Sequence, residues 1–257
     1  MISDKGLQTF VHSRSSQLAW KQKHPSQEKP VLATSLIPYS ELLALRERLG
    51  KPNILFPQTP LPPGMLNILA NDPIIKKLEY SFHSFSMEPQ SIIFIKEIIR
   101  SFKPRTILEL GSGISTVILS DYLRSIHQGT SEDLNYVTVD QSAEYLNETR
   151  KMLQKADLEN FVRCVEAPIT SYKIEDKALS CYDLREDLLH PALQGCKPEL
   201  IIIDGPVGGG PTGLPFARML TAPLLKSLSS PGTIIVMDDA FRDTEIEIMR
   251  CFFHFFF

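Results

Sequence analysis

The stretch Thr106-Ile-Leu-Glu-Leu-Gly-Ser-Gly-Ile-Ser-Thr116 decides how this chain folds. Apolar Ile107 and Leu108 lead to an acid, Glu109, then to Gly111 and Gly113, and an amphipathic helical pattern starts behind them. A strand, a glycine turn and a helix start make up the unit that holds a nucleoside-bearing cofactor in doubly wound α/β proteins. Glycine at both turn positions lets the backbone pass close to a ligand with no side chain between. Two readings compete. A dinucleotide fold asks for G-x-G-x-x-G, whose third glycine lets helix and strand approach; Thr116 stands at that position. The other reading is E-x-G-x-G, carried by Glu109, Gly111 and Gly113, with the acid meeting a cationic or hydroxylated part of the ligand.

On both sides of this stretch, strand and helix patterns alternate, which predicts a mostly parallel sheet with right-handed crossovers. A helix is expected over Glu88 to Phe102, with Ile92, Ile95, Ile99 and Phe102 toward the core and Pro89 in its first turn. The first strand covers Thr106 to Glu109, and its helix runs from Ser115 to His127. A second strand, Tyr136 to Asp140, precedes a helix over Ala143 to Lys155, and a third covers Phe161 to Val165. Pro168 to Pro198 reads as a long insertion. The fourth strand, Leu200 to Asp204, is apolar at every position before its acid, as a strand covered on both faces should be. A helix over Phe216 to Leu228, a fifth strand over Thr233 to Met237 and a helix after Asp243 complete the pattern.

The chain divides into an extension over 1–85 and a cofactor domain over 86–257. In the extension, Ser40 to Gly50 predicts a short helix, proline-rich Lys51 to Gly64 an irregular segment, and Met65 to Ala70 another short helix. The last residues, Phe252 to Phe257, are aromatic and abrupt: the strands that usually close such a sheet are expected to be missing, either because the chain is truncated or because this tail replaces that edge, and an edge left uncovered would be sticky.

Bulk composition narrows the partners. The 257 residues are 43% hydrophobic and 22% charged, with a net charge of -3, which leaves no basic footprint for nucleic acid. Apolar runs are strand-sized, so no membrane span is expected, and Met1 to Trp20 lacks the apolar block of a secretory signal. Cys164, Cys181, Cys196 and Cys251 fit no zinc template and read as free thiols of a cytoplasmic protein. Oligomeric state is not legible.

Acids mark the ends of the other strands. Asp140 ends the second strand, where a carboxylate accepts hydrogen bonds from both hydroxyls of a ribose or else caps the next helix. Asp204 ends the fourth strand, and Asp238 and Asp239 follow the fifth. Strand carboxyl ends border the ligand crevice of an open α/β sheet. Three acids there repel one another unless a cation lies between them, and Mg²⁺ suits such oxygen ligands. Alternatively one acid contacts ligand while the others cap helices. Gly205 to Gly213 is a glycine-rich loop without the lysine of a phosphate-binding loop. Arg218 and Arg242 are either anchors for an anionic substrate or helix-surface residues, and His190 reads as a solvated loop residue.

In order and spacing these motifs resemble class I S-adenosylmethionine-dependent methyltransferases. Ala167-Pro168-Ile169, Cys181-Tyr182-Asp183, Asp204-Gly205-Pro206, Arg218, and Asp238-Asp239-Ala240 with Arg242 and Glu245 are similar to the methyltransferase-24-like branch. The resemblance implies a Rossmann-like methyltransferase fold and a small-molecule methyl acceptor. It implies S-adenosylmethionine at Glu109, Gly111, Gly113, Ser115, Asp140, Glu166, Ala167 and Asp204, with Glu109 at the methionine end and Glu166 and Ala167 beside the adenine. It implies Asp204 or Asp238 as base, and a divalent cation such as Mg²⁺ on Asp204, Asp238 and Asp239. Rival readings are an NAD(P)-dependent oxidoreductase, against which the missing Tyr-x-x-x-Lys pair counts, and an inactive or truncated cofactor-binding protein.

Overall fold

Strands formed wherever a run of Ile, Leu and Val could be covered on both faces, and they set the frame of the protein. The computed structural model describes residues 53–55, 69, 71–82, 86–127, 134–174, 177–184, 186–206, 217, 218, 225 and 227–239. Within them, a six-stranded sheet has the order β1-β8-β7-β2-β3-β4. Its strands are β1 (Asn53–Leu55), β2 (Thr106–Leu110), β3 (Asn135–Asp140), β4 (Val162–Glu166), β7 (Leu200–Ile203) and β8 (Ile234–Met237). Every pairing is parallel. The crossovers are α2 (Pro89–Phe102), α3 (Ile114–Ile126) and α4 (Ala143–Lys155), preceded by α1 (Pro73–Leu78). This is the doubly wound α/β architecture expected from the sequence.

The pleat sends successive strand residues to opposite faces. Ile107, Tyr136, Leu200, Ile202, Ile234 and Val236 pack with Ile92, Ile95, Ile99, Val117, Ile118 and Leu153 from the helices. Leu108, Leu110, Val137, Val139, Ile201, Ile203, Ile235 and Met237 face the other way. Burying both faces removes water from every rung and is the main stabilising term. Local signals fix the helix starts. Asp72 accepts from Ile74 N at 2.9 Å with Pro73 opening α1. Ser142 accepts from Tyr145 N at 3.2 Å and caps α4.

Several expectations are corrected. Lys51 to Gly64 is not irregular throughout: Asn53–Leu55 pairs with Ile234, Ile235 and Val236 and covers the edge of β8. Proline restricts its own position and the residue before it, and this strand fits between Pro52 and Pro57. From the expected extension, Leu69, Ile74 and Ile75 pack into the core of α2 and α3. Pro168 to Pro198 holds an antiparallel hairpin, β5 (Ile169–Ile174) with β6 (Lys177–Tyr182), and α5 (Glu186–Leu193). His190 lies in α5, not in a loop. Ala217 and Arg218 form a turn where helix was expected, while Leu225, Ser227 and Leu228 are helical. The helices expected over Ser40 to Gly50 and after Asp243, most of the Met65 to Ala70 helix, residues 207–213 of the glycine-rich loop, Arg242, Glu245, Cys251 and the Phe252 to Phe257 end lie outside the described residues.

No helix among the described residues is long and apolar enough to cross a membrane. Cys164, Cys181 and Cys196 are free thiols. Burial pushes the Cys164 thiol up to about 11 and the Cys181 thiol up to about 12, so both stay protonated and unreactive near neutrality.

Candidate functional site

The turn after β2 rises where β2, β3 and β7 end together. Gly111 donates to Val139 O at 2.8 Å and accepts from Thr138 Oγ1 at 2.7 Å, which ties the turn to β3. Its φ is +110°, and a Cβ there would lie 3.2 Å from Asp204 C and from Gly205 N. The turn after β2 therefore sits back to back with the turn after β7, where the Gly205–Pro206 peptide is cis. Gly113 has φ +153°, and a Cβ on it would meet nothing within 4 Å. One glycine serves close packing, the other leaves open space.

That space is a cavity of about 480 Å³, within the usual range for small-molecule sites. Gly111, Ser112, Gly113, Ser115, Asp140 and Asp204 line it, together with Tyr80, Met87, Tyr145, Met152, Tyr182 and Gly205. Gly113 and Asp140 thus face one cavity. Of the expected cofactor residues, Gly111, Gly113, Ser115, Asp140 and Asp204 converge there.

Glu109, Glu166 and Ala167 do not line it. Glu109 is fully buried, and its carboxylate accepts from Ser115 Oγ at 2.7 Å, Thr116 Oγ1 at 2.7 Å and Tyr136 OH at 3.0 Å. Burial raises its carboxyl to about 7, against the pull of these hydroxyl donors. Glu109 therefore holds the start of α3 from beneath. Thr116 is its strut: the same hydroxyl accepts from Gly113 N at 3.2 Å, half of a capping box. Ala167 N donates to Asp140 O at 2.9 Å, so Ala167 braces the end of β3, while Glu166 is exposed.

Asp140 is not the cap of α4, a role Ser142 fills. Its Oδ2 accepts from Ser112 N at 3.0 Å and Ser112 Oγ at 2.7 Å, and its Oδ1 from Ser142 N at 2.9 Å. Burial raises its carboxyl, and these donors oppose the rise. Ser112 was missed in the sequence, although its place between two glycines aims it at any acid on the neighbouring strand end. Tyr182 was quoted only as part of the resemblance and given no role, because nothing local marked the hairpin that carries it to the cavity.

Asp204, Asp238 and Asp239 do meet, with carboxylate oxygens within 4.8 Å of one another. Burial first, then Asp238, raises Asp204 well above the ordinary range; burial first, then Asp239, raises Asp238. Ser91 Oγ donates to Asp238 Oδ1 at 2.8 Å. Glu88, at the start of α2, feels the same field: burial, then Asp238 and Asp239, lift it to about 7.

A cation the sequence placed elsewhere stands beside these acids. Arg218 is only 2% exposed, neither a surface residue nor free to anchor substrate. Its guanidinium donates to Asp204 O at 2.7 Å, Asp238 O at 3.1 Å and Pro206 O at 3.3 Å. It lies 3.4 Å from Asp239 Oδ2 and 3.9 Å from Asp204 Oδ1. The acids still outnumber it, and their oxygen donors and mutual spacing fit a hard divalent ion.

No family profile matches the sequence, and no curated protein matches it. Solved structures do resemble it. The cofactor-bound Rv0187 protein from MTB is 18% identical with a TM-score of 0.50, over 77% of this chain and 85% of that one. The O-methyltransferase from Bacillus cereus in complex with SAH is 16% identical with a TM-score of 0.45, over 92% and 84%. TomG, an O-methyltransferase from Streptomyces achromogenes in complex with SAM, is 16% identical with a TM-score of 0.45, over 76% and 78%. The likeness is one of fold alone, a Rossmann-like α/β fold.

Proposed function

We propose that the protein is an S-adenosylmethionine-dependent methyltransferase acting on a hydroxyl of a small molecule, in the cytoplasm and within the methyltransferase-24-like branch. One observation carries the reading: bare backbone at Gly113 and the carboxylate of Asp140 face one cavity at the carboxyl ends of the strands. Asp140 would hold the ribose hydroxyls, with Ser112 Oγ rotating aside to free Oδ2. The first turn of α3 offers amide donors and the positive end of its dipole to an anionic group. Ser115 would meet the ligand directly, with Glu109 fixing its hydroxyl. Bound there, S-adenosylmethionine would supply a methyl group already activated by its sulfonium.

The chain's remaining task is to orient an acceptor hydroxyl and remove its proton. Asp204 suits this, since it lines the cavity, and burial and the neighbouring Asp238 strengthen its hold on a proton. The alternative to such a base is a divalent ion on Asp204, Asp238 and Asp239, which would lower the acceptor's pKa. Against a dinucleotide cofactor stands Thr116, whose hydroxyl strut fills the position where close helix approach needs glycine.

Titration calorimetry of the intact chain with S-adenosylmethionine and with NADH tests the reading. We expect binding of the first only, and a loss of roughly ten- to a hundredfold for Asp140→Ala, equal to about 1.4–2.8 kcal/mol. Circular dichroism guards against a loosened turn, since Asp140 also ties down Ser112 and Ser142. NADH binding alone, or unchanged affinity in the variant, refutes it. Loss of turnover with a chelator, restored by Mg²⁺, tests the metal.

A further inference from the structure

One polar group in the cavity wall has no place in the account above. Tyr182, the last residue of β6, is 1% exposed and packs in the core beside Leu110, Val139 and Ala167. Its ring belongs to that core, yet it also lines the cavity. Its hydroxyl has no hydrogen-bond partner among the described residues. A buried hydroxyl left unpaired is costly, and phenylalanine would fill the same apolar space without that penalty.

The neighbouring turn makes room for this hydroxyl. A Cβ at Gly205 would collide with Tyr182 Oη, and the same Cβ would sit 3.1 Å from Gly111 N. Glycine at 205 thus accommodates both the crossing of the two turns and the phenol oxygen. The oxygen stands against the turn after β7 and within the field of both Asp140 and Asp204.

We propose that the Tyr182 hydroxyl is a cofactor-binding donor, hydrogen-bonding an acceptor atom of the nucleoside cofactor that fills the cavity. The inference rests on the methyltransferase reading and adds to it a residue from the hairpin. Burial, then the charge of Asp140, holds the phenol proton well beyond the ordinary tyrosine range, so the group donates throughout the working pH range. That proton can be given to an ether, hydroxyl or carboxylate oxygen of the ligand.

Tyr182→Phe removes only the oxygen. Calorimetry with S-adenosylmethionine and S-adenosylhomocysteine on the intact chain should give about five- to tenfold weaker binding of both, the worth of one hydrogen bond. Without ligand, the melting temperature of the variant should equal or exceed that of the parent, because an unpaired buried hydroxyl has been deleted. Unchanged affinity for both ligands overturns the proposal, and so does a lower melting temperature without ligand, which would mean a partner within the protein. If the parent chain binds neither ligand, the methyltransferase reading itself fails. If the parent binds and Tyr182→Phe binds equally, only this inference falls.

Discussion

Replacing Arg218 by methionine keeps the buried stem and removes the positive charge that lies against Asp204 and Asp239. The guanidinium joins the turns after β7 and β8 through Asp204 O, Pro206 O and Asp238 O. Each charge-assisted bond is worth about 1.5–3 kcal/mol in isolation, but they share one group and do not add. The better measure is a broken buried ion pair, about 3–5 kcal/mol, because Asp204 and Asp239 are left facing each other unscreened. A loss near 4 kcal/mol consumes much of the 5–15 kcal/mol typical of a folded domain. The loss should depend on pH. Asp204 and Asp238 have raised folded-state affinities for protons, so protonation favours the folded state as pH falls. Urea unfolding followed by circular dichroism at pH 8 and pH 5 should show the larger deficit at pH 8. A deficit below about 1 kcal/mol, or one larger at pH 5, refutes the argument that Arg218 neutralises this cluster.

Other expectations follow from the turn and its acid. Gly113→Ala meets no protein atom, so stability should fall only by the strain of its φ of +153°, about 1–2 kcal/mol. Its methyl enters the cavity, so affinity for S-adenosylmethionine should fall at least tenfold; equal affinity by calorimetry would show that no ligand approaches there. Thr116→Gly completes the dinucleotide motif yet deletes the strut on Glu109, which should cost about 2–3 kcal/mol in urea unfolding. It should gain no NADH affinity, and a gain would restore the dinucleotide reading. Glu109 has its carboxyl raised from the model-compound 4.5 to about 7, so the folded state holds its proton longer than the unfolded chain. Its contribution is fully present below pH 4.5 and is lost as pH rises to about 7, on the order of 3 kcal/mol. Glu109→Gln should flatten the stability curve over that window, and an unchanged slope would assign it to other groups.

The frame was legible where burial is two-sided. Leu200 to Ile203 and Ile107 to Leu110 declare themselves as strands because every position is covered. Glycines and strand-end acids located the cavity because those positions follow from the topology of a parallel sheet. What stayed hidden depends on contacts between distant segments. Asn53–Leu55 is too short to carry a periodic signal, and its strand exists only through β8. Arg218 resembles any other arginine until the loops around it close. Glu109 was recognised as part of the motif, but its three hydroxyl partners, which turn a ligand contact into a hidden brace, come from α3 and β3.

The pairing of Asn53–Leu55 with β8 has a consequence for anyone trimming this protein to its glycine motif. A fragment beginning near α2 would leave the outward amides and carbonyls of Ile234 to Val236 bare on an apolar ribbon. Such a margin templates addition of strands from neighbouring molecules. Shortened versions should clump in proportion to concentration, however well their cofactor pocket is preserved.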